Sequence, residues 1–291
     1  MTAVSDSRPL AGVGLMVCAV LSFTLLDSSA KYLSDDYALG QLLWARYTIS
    51  FCLLLVVATP VMGVRSLVRT GRPGFQLLRG GLLLLATGSI FTAVKLLPLA
   101  NAYAISFLSP VIVAGLAVPL LGERVTAGRW LAILTGFAGV LVVIRPGTAG
   151  FSWAVVFPLA MATFYALYQI MTRMLGPRDS ALTTLFYTML IGTAVTTALL
   201  PAVWQWPTIE AWAVLVWMGV IGLVGQMLLI WAFRLAEASF LSPFVYTQII
   251  WASVIGYLVF GDVPDIITLA GAGIIIASGI ALTRLRTGDG R

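Results

Sequence analysis

Ten apolar stretches, separated at charges, glycines and prolines, make up most of this 291-residue chain. A helix needs about 20 mostly apolar residues to cross the hydrocarbon core of a bilayer, and the stretches have roughly that length. We place them at residues 10–33, 40–61, 75–97, 99–121, 128–144, 152–174, 181–200, 210–235, 237–260 and 265–284. The sequence therefore predicts an all-α integral membrane protein with ten transmembrane helices and no room for a soluble domain.

The composition excludes several classes of function. Charged residues form only 10% of the chain, less than half of their usual share in a soluble domain. Histidine is absent, Cys18 and Cys52 lie inside apolar stretches where we expect them to be buried, and no phosphate-binding P-loop motif occurs. We therefore expect no metal, no cofactor, no nucleic-acid partner and no enzyme activity.

The basic residues predict the orientation in the membrane. If the amino terminus is cytoplasmic, thirteen of the seventeen lysines and arginines, Arg79 among them, fall on the cytoplasmic side. Lys31, Lys95 and Arg145 fall on the other side, and Arg46 lies within the second span. Because cytoplasmic loops carry the excess of positive charge, both termini are predicted to be cytoplasmic in a bacterial inner membrane.

Short matches recur along the chain at a nearly constant separation. At 139 residues, Ala93-Val94-Lys95-Leu96 aligns with Ala232-Phe233-Arg234-Leu235, and Gly122-Glu123 aligns with Gly261-Asp262. At 141 and 142 residues, Phe23 and Lys31 fall opposite Phe164 and Arg173. Each half holds five spans, and an odd number inverts the second copy relative to the first. The predicted domains are two inverted five-helix repeats, residues 1–148 and 149–291.

Motifs in both halves are similar to those of a known family. They are Phe23 through Lys31, Arg46, Ala93-Val94-Lys95, Leu97-Pro98, Ser109-Pro110, Gly122-Glu123-Arg124, Ser242-Pro243-Phe244, Tyr246-Thr247 and Gly261-Asp262-Val263-Pro264. With these motifs the chain resembles the ten-helix EamA branch of the drug/metabolite transporter superfamily, although that family usually has Glu at the position of Asp262.

The resemblance implies a secondary transporter similar to exporters of amino acids and other small metabolites. It also implies a central cavity lined by the first, third, fourth, sixth, eighth and ninth helices, with the fifth and tenth helices packed at the side. Gly136 and Gly139 in the fifth span, and Gly271, Gly273 and Gly279 in the tenth, predict close helix packing.

Asp27 is the only acid well inside a span, and Arg46 lies at a similar depth in the next span. A carboxylate at the centre of a membrane helix costs on the order of 3 kcal/mol, so it needs a partner or a wet cavity. One interpretation is a buried ion pair between Asp27 and Arg46 that only ties two helices together. The other interpretation makes Asp27 a proton-coupling or substrate-amine site.

Other candidate substrate contacts lie in the first, fourth, sixth, eighth and ninth spans. Pro110 and Pro243 predict kinks, because proline removes a backbone donor and frees a carbonyl one turn earlier. An aromatic stripe on one face of the sixth span, with Tyr168 at mid-depth, adds further candidate contacts to those on the kinked helices. The candidates, besides Asp27, are Phe23, Tyr103, Ser106, Phe107, Ser109, Phe164, Tyr168, Gln169, Gln226, Trp231, Tyr246, Gln248 and Trp251. The competing explanations are that the prolines only kink their helices and that the aromatic residues only pack in the core.

The predicted function is export of small organic solutes by alternating access, with apolar or aromatic amino acids as the favoured class. Uncharged polar and aromatic side chains suit a zwitterion with an apolar side chain. A multidrug or other metabolite exporter is the alternative, and a membrane-embedded enzyme or scaffold is a remote one. The expected partners are the small-molecule substrate and the lipid bilayer. A monomer is expected, and a dimer through the glycines of the fifth and tenth spans is the alternative.

Overall fold

The computed structural model describes residues 9–121, 127–145, 152–175, 179–235 and 241–288. These residues form twelve α-helices and no strand. The helices are α1 (Pro9–Leu33), α2 (Leu39–Met62), α3 (Val64–Val68), α4 (Pro73–Leu96), α5 (Leu99–Ser106), α6 (Ser109–Leu121), α7 (Ala127–Ile144), α8 (Val156–Leu175), α9 (Ala181–Leu199), α10 (Ile209–Leu235), α11 (Gln248–Phe260) and α12 (Ile266–Gly288). Short 3₁₀ turns cover Trp153–Val155, Leu200–Ala202 and Ser242–Thr247.

Six helices of the described chain are long and apolar enough to cross a bilayer, judged by length and composition: α1, α2, α4, α8, α9 and α10. Four shorter apolar segments lie at Leu99–Val113, Leu134–Ile144, Phe244–Phe260 and Ile266–Ser278. The exterior of the bundle is apolar too, with Val56, Val61 and Ile266 among its exposed residues. Such an exterior suits lipid and not water, so the prediction of an all-helical multi-pass membrane protein is confirmed.

Glycine, proline and serine set several helix ends. Pro73 begins α4, at a position where a backbone N–H would have no acceptor within the helix. The N–H that proline lacks is therefore not needed there. Gly261 ends α11 in the left-handed region at φ 70°, which a side chain would strain. Ser180 caps α9, because its Oγ accepts the backbone N–H of Thr183 at 3.0 Å.

The fourth predicted span is broken. Helix α5 ends at Ser106, residues 107 and 108 form a turn, and α6 begins at Ser109, immediately before Pro110. The predicted kink at Pro110 coincides with this break. Pro243 lies in the 3₁₀ turn Ser242–Thr247 that leads into α11. Both prolines therefore accompany a departure from α-helical geometry at the start of an apolar helix.

The most extensive helix contacts join segments that are far apart in sequence. Helix α1 packs on α10, α4 on α8, α2 on α9, and α7 on α12. Helix α5 also contacts α11, and α1 contacts both α4 and α11. Contacts between distant parts of the sequence therefore link α1, α4, α5, α8, α10 and α11.

Glycines permit the closest of these helix contacts. A Cβ on Gly139 would lie 3.0 Å from the backbone oxygen of Gly271, and one on Gly271 would lie 2.9 Å from the oxygen of Gly139. The predicted packing role of these two residues is confirmed, whereas Gly273 faces open space, so the prediction for that residue is wrong. Cys18 and Cys52 are exposed at the surface of the bundle and not buried as expected.

Candidate functional site

A buried polar cluster lies where α1, α5 and the start of α11 meet. The hydroxyl of Tyr103 donates a 2.5 Å hydrogen bond to Oδ2 of Asp27. Asp27 is 6% exposed and Tyr103 is 2% exposed, so both groups have left water. The side chains of Thr24 and Gln248 also lie next to the Tyr103 hydroxyl. The cluster joins four polar side chains from three helices, and three of its members, Asp27, Tyr103 and Gln248, were predicted.

Arg46 does not form the predicted ion pair with Asp27. Among the described residues, no contact within 4.0 Å joins its guanidinium to a carboxylate. The guanidinium lies instead near the rings of Tyr47 and Phe91, 5.1 Å and 5.8 Å from their centres. Asp27 and Arg46 were paired only because they lie at a similar depth along their helices. Tyr103 instead fills the position beside Asp27. Arg46 still attracts Asp27 electrostatically across the gap.

Aromatic and amide side chains extend the cluster toward the break between α5 and α6. The rings of Phe107 and Tyr246 pack edge to face with their centres 5.2 Å apart. Gln169 on α8 donates a 3.3 Å hydrogen bond to Oγ of Ser109 at the start of α6. These four predicted residues therefore lie in two contacts that link segments from distant parts of the sequence.

Tyr168 lies in a second aromatic group on α8. Its ring stacks on that of Tyr165, with centres 5.7 Å apart. The guanidinium of Arg79 lies 4.7 Å from the centre of the Tyr168 ring. Tyr168 is therefore part of a packed aromatic group. Its contact with the buried Arg79 was not predicted from the sequence.

Several predicted residues lie apart from the cluster. Trp231 is 53% exposed on α10. Phe23 packs against Gly225 of α10, and the hydroxyl of Ser106 is occupied by the carbonyl of Ala102 in its own helix. Phe164 and Gln226 are partly buried on α8 and α10.

Trp251 on α11 is a special case among the predicted residues. Its ring packs against the first half of α1, beside Met16 and Val20. Its indole nitrogen is fully enclosed and has no hydrogen-bond partner among the described residues. A buried donor without an acceptor is costly, and this N–H is shielded from a solute by the residues that enclose it.

Arg79 was counted among the cytoplasmic loop charges, and that assignment is wrong. It is completely buried in α4, where its Nη2 donates to the carbonyl of Thr184 at 2.8 Å and to the hydroxyl of Thr188 at 2.5 Å. Its Nη1 donates to Thr172 at 3.1 Å and its Nε to Gln76 at 3.3 Å. Neutral oxygens from α4, α8 and α9 therefore satisfy this cation, and threonines one helical turn apart on α9 were the available clue.

Lys31 forms an ion pair that the sequence argument also missed. Its Nζ lies 2.6 Å from Oδ2 of Asp262 and 4.7 Å from the centre of the Phe260 ring. Both charged side chains are largely buried, at 15% and 28% exposure. The pair joins the end of α1 to the residues that follow α11. Both residues belong to the family motifs, which was the clue that could have paired them.

A family comparison identifies the chain. The model described as the EamA-like transporter family matches it twice, over residues 10–145 and 152–284. The chain belongs to this family. Its membership confirms the resemblance drawn from the motifs, and it confirms that the chain is a transporter and not an enzyme.

Named relatives of this EamA-like transporter cover almost its whole length. A riboflavin transporter of Vibrio cholerae is 31% identical, over 98% of this chain and 96% of the relative. An S-adenosylmethionine uptake transporter of Rickettsia bellii is 27% identical, over 91% and 90%. A pseudopaline exporter of Pseudomonas aeruginosa is 29% identical, over 95% and 97%. All of these relatives carry small molecules, which agrees with the expected small-molecule substrate.

A solved crystal structure supports the fold. It aligns with a TM-score of 0.66 and 20% sequence identity, over 98% of this chain and 100% of the other.

In the described part of the chain, no group of three or more cysteines or acidic residues is placed to hold a metal ion.

Proposed function

We propose that this protein is a secondary transporter that exports small organic solutes by alternating access, with apolar or aromatic amino acids as the favoured class. The observation that carries the proposal is the Asp27–Tyr103 cluster, an acid held in the middle of a helical bundle of a transporter family. Among the described residues only Oδ2 of Asp27 takes part in a side-chain hydrogen bond, so Oδ1 can accept one from a solute ammonium group. The rings of Phe107 and Tyr246 offer an apolar surface beside it.

We also propose that the bundle has ten spans arranged as two inverted halves, residues 1–148 and 149–291. Two matches to one family model support two related halves. The helix contacts give further support, because exchanging the halves turns the contact of α1 with α10 into that of α8 with α4. The same exchange maps the pairs α2–α9, α7–α12 and α5–α11 onto themselves. A pseudo-twofold relation of this kind is common in secondary transporters.

The proposed location is a bacterial inner membrane, with both termini cytoplasmic. The uneven distribution of lysines and arginines supports this orientation, even with Arg79 removed from the loop charges. We propose that the protein acts as a monomer.

The role of Asp27 is tested by Asp27→Asn in proteoliposomes, with the exposed Asp36→Asn as the control. If Asp27 couples protons, Asp27→Asn abolishes uptake driven by a pH gradient but leaves exchange of solute across the membrane. If Asp27 binds the solute amine, both activities fall while the protein stays folded. Equal loss of both activities together with poor expression would instead assign Asp27 a structural role.

The substrate class is tested by flux in the same proteoliposomes. Radiolabelled phenylalanine, leucine, riboflavin, S-adenosylmethionine and a lipophilic cation are loaded in turn, with protein-free liposomes as the control. We expect the protein to accelerate exchange of phenylalanine and leucine. Exchange of none of these solutes would contradict the proposed transport function.

Riboflavin is the second candidate cargo, because a riboflavin transporter is 31% identical over nearly the whole chain. Aromatic rings in the cluster would also suit a flavin ring or a lipophilic drug cation. Exchange of riboflavin without exchange of amino acids would favour this alternative, and exchange of the cation alone would favour a drug exporter.

A further inference from the structure

We propose that Arg46 binds the carboxylate of the transported solute, so that a zwitterion bridges Arg46 and Asp27. This inference rests on the proposed transport function. It assigns Arg46 a role in recognition that differs from the ion pair expected from the sequence.

The first observation is that Arg46 is buried and lacks partners. Its side chain is 6% exposed, and it makes no hydrogen bond or ion pair within the described chain. Arg79, the other deeply buried arginine, is fully surrounded by oxygens of Gln76, Thr172, Thr184 and Thr188. A buried cation without an oxygen partner is costly, so the two arginines differ in what the protein itself supplies.

The second observation is the way in which Arg46 is held. The rings of Tyr47 and Phe91 lie near its guanidinium, at 5.1 Å and 5.8 Å. Rings attract a cation without using its N–H donors. Unlike the indole nitrogen of Trp251, the guanidinium nitrogens are not fully enclosed. The donors of Arg46 therefore remain available to a ligand, and a planar guanidinium matches a carboxylate with two parallel hydrogen bonds.

The third observation is the position of Asp27. It lies more than 4.0 Å from Arg46, yet close enough for the two charges to attract each other. The hydroxyl of Tyr103 occupies Oδ2 of Asp27. An α-amino acid carries an ammonium and a carboxylate on one carbon, so it can satisfy both separated charges at once. A solute without an anionic group would leave Arg46 unpaired.

The test measures binding of three probes by titration calorimetry with the full chain in lipid nanodiscs. The probes are L-phenylalanine, L-phenylalaninamide, which lacks the carboxylate, and 3-phenylpropionate, which lacks the ammonium. A charge-assisted hydrogen bond makes phenylalanine bind about 10- to 100-fold more tightly than its amide. In Arg46→Gln we expect the two affinities to converge to within about threefold, since the missing interaction is the one that distinguishes them.

Two further variants keep the test decisive. Arg145→Gln removes a positive charge outside the cluster and should keep the wild-type preference for phenylalanine. Arg46→Lys keeps the charge but loses the planar fork, so its preference should be intermediate. Size-exclusion elution and thermal unfolding of each variant report independently whether it stays folded.

The outcomes separate this inference from the proposed function. If wild type shows no preference for the carboxylate, or if both Arg46 variants keep the full preference, the inference is wrong while exchange of solutes still supports a transporter. Binding of riboflavin but of none of the three probes also overturns the inference and leaves transport intact. Absence of both probe binding and solute exchange would overturn the proposed function as well.

Discussion

Replacing Tyr103 by Phe tests whether Asp27 is charged in the folded protein. The substitution removes one hydroxyl and keeps the ring, so it leaves almost no cavity. The lost contact is the 2.5 Å hydrogen bond to Asp27, between side chains that are both at least 94% buried. A hydrogen bond to a charged group contributes about 1.5–3 kcal/mol, and we expect Tyr103→Phe to lower the free energy of unfolding by about that amount.

Tyr47 provides a matched control for this measurement. It is also completely buried, and its hydroxyl lies 3.0 Å from Oγ1 of Thr87, a neutral partner. Thr87 keeps its own bond to the carbonyl of Leu83 when the tyrosine hydroxyl is removed. Tyr47→Phe should therefore cost only about 0.5–1.5 kcal/mol, the range for a neutral hydrogen bond.

The assay is equilibrium unfolding with sodium dodecyl sulfate in mixed micelles at pH 7, followed by tryptophan fluorescence. In the Asp27→Asn background, the effect of Tyr103→Phe should shrink to the neutral range, because the charge is gone. Equal costs for Tyr103→Phe and Tyr47→Phe in the wild-type background would refute the idea that Tyr103 stabilises a charged Asp27.

Two other predictions concern packing and pH. Gly192→Ala should lower stability by about 1–3 kcal/mol, since its Cβ would lie 2.2 Å from the Tyr47 ring, whereas Gly81→Ala, with nothing within 4 Å, should not; thermal unfolding compares the two, and equal midpoints would contradict the contact. The hydrogen bond from Arg145 lowers the pKa of Asp265 from 3.8 to about 2. Its small stabilisation is therefore complete above about pH 4 and lost as the pH falls toward 2. Arg145→Gln should abolish that part of the acid dependence, and an unchanged acid profile would show that the pair contributes nothing.

The sequence predicted the helices well because lipid imposes one strong requirement on every span, which is a helix of about 20 mostly apolar residues. Most predicted ends lie within two residues of the observed ones, as for α1 at Pro9–Leu33 and α9 at Ala181–Leu199. The break before Pro110 was also predictable, because proline disrupts the backbone ladder wherever the helix packs. These features depend on local chemistry and on the solvent alone.

The contacts within the site depend on how distant helices meet, and these contacts were harder to predict from the sequence. Asp27 was predicted to be an acid inside a span, and it is buried, but its hydrogen-bond partner is Tyr103 and not Arg46. The depth of two residues along their helices does not determine how the helices are rotated relative to each other. Depth alone therefore could not show whether Tyr103 or Arg46 lies beside Asp27. Lys31 likewise pairs with a residue 231 positions away.

The charge of Arg79 misled the sequence argument for a different reason. A cation near a helix end is normally counted with the adjacent loop. Here the threonines of α8 and α9 supply enough oxygens to bury it completely. Hydroxyls in an apolar helix carry no charge that would mark them as partners in advance.

The most direct test of the account is whether the short apolar helices cross the membrane. Val263, between α11 and α12, is 71% exposed, and Arg72, before α4, is also exposed. Single-cysteine variants Val263→Cys and Arg72→Cys, made with Cys18 and Cys52 replaced by alanine, are treated in spheroplasts with a membrane-impermeant maleimide. With ten spans in two inverted halves, Val263→Cys is labelled from outside and Arg72→Cys only after the membrane is disrupted. Labelling of both positions from the same side would contradict the ten-span arrangement and the enclosed solute site that depends on it.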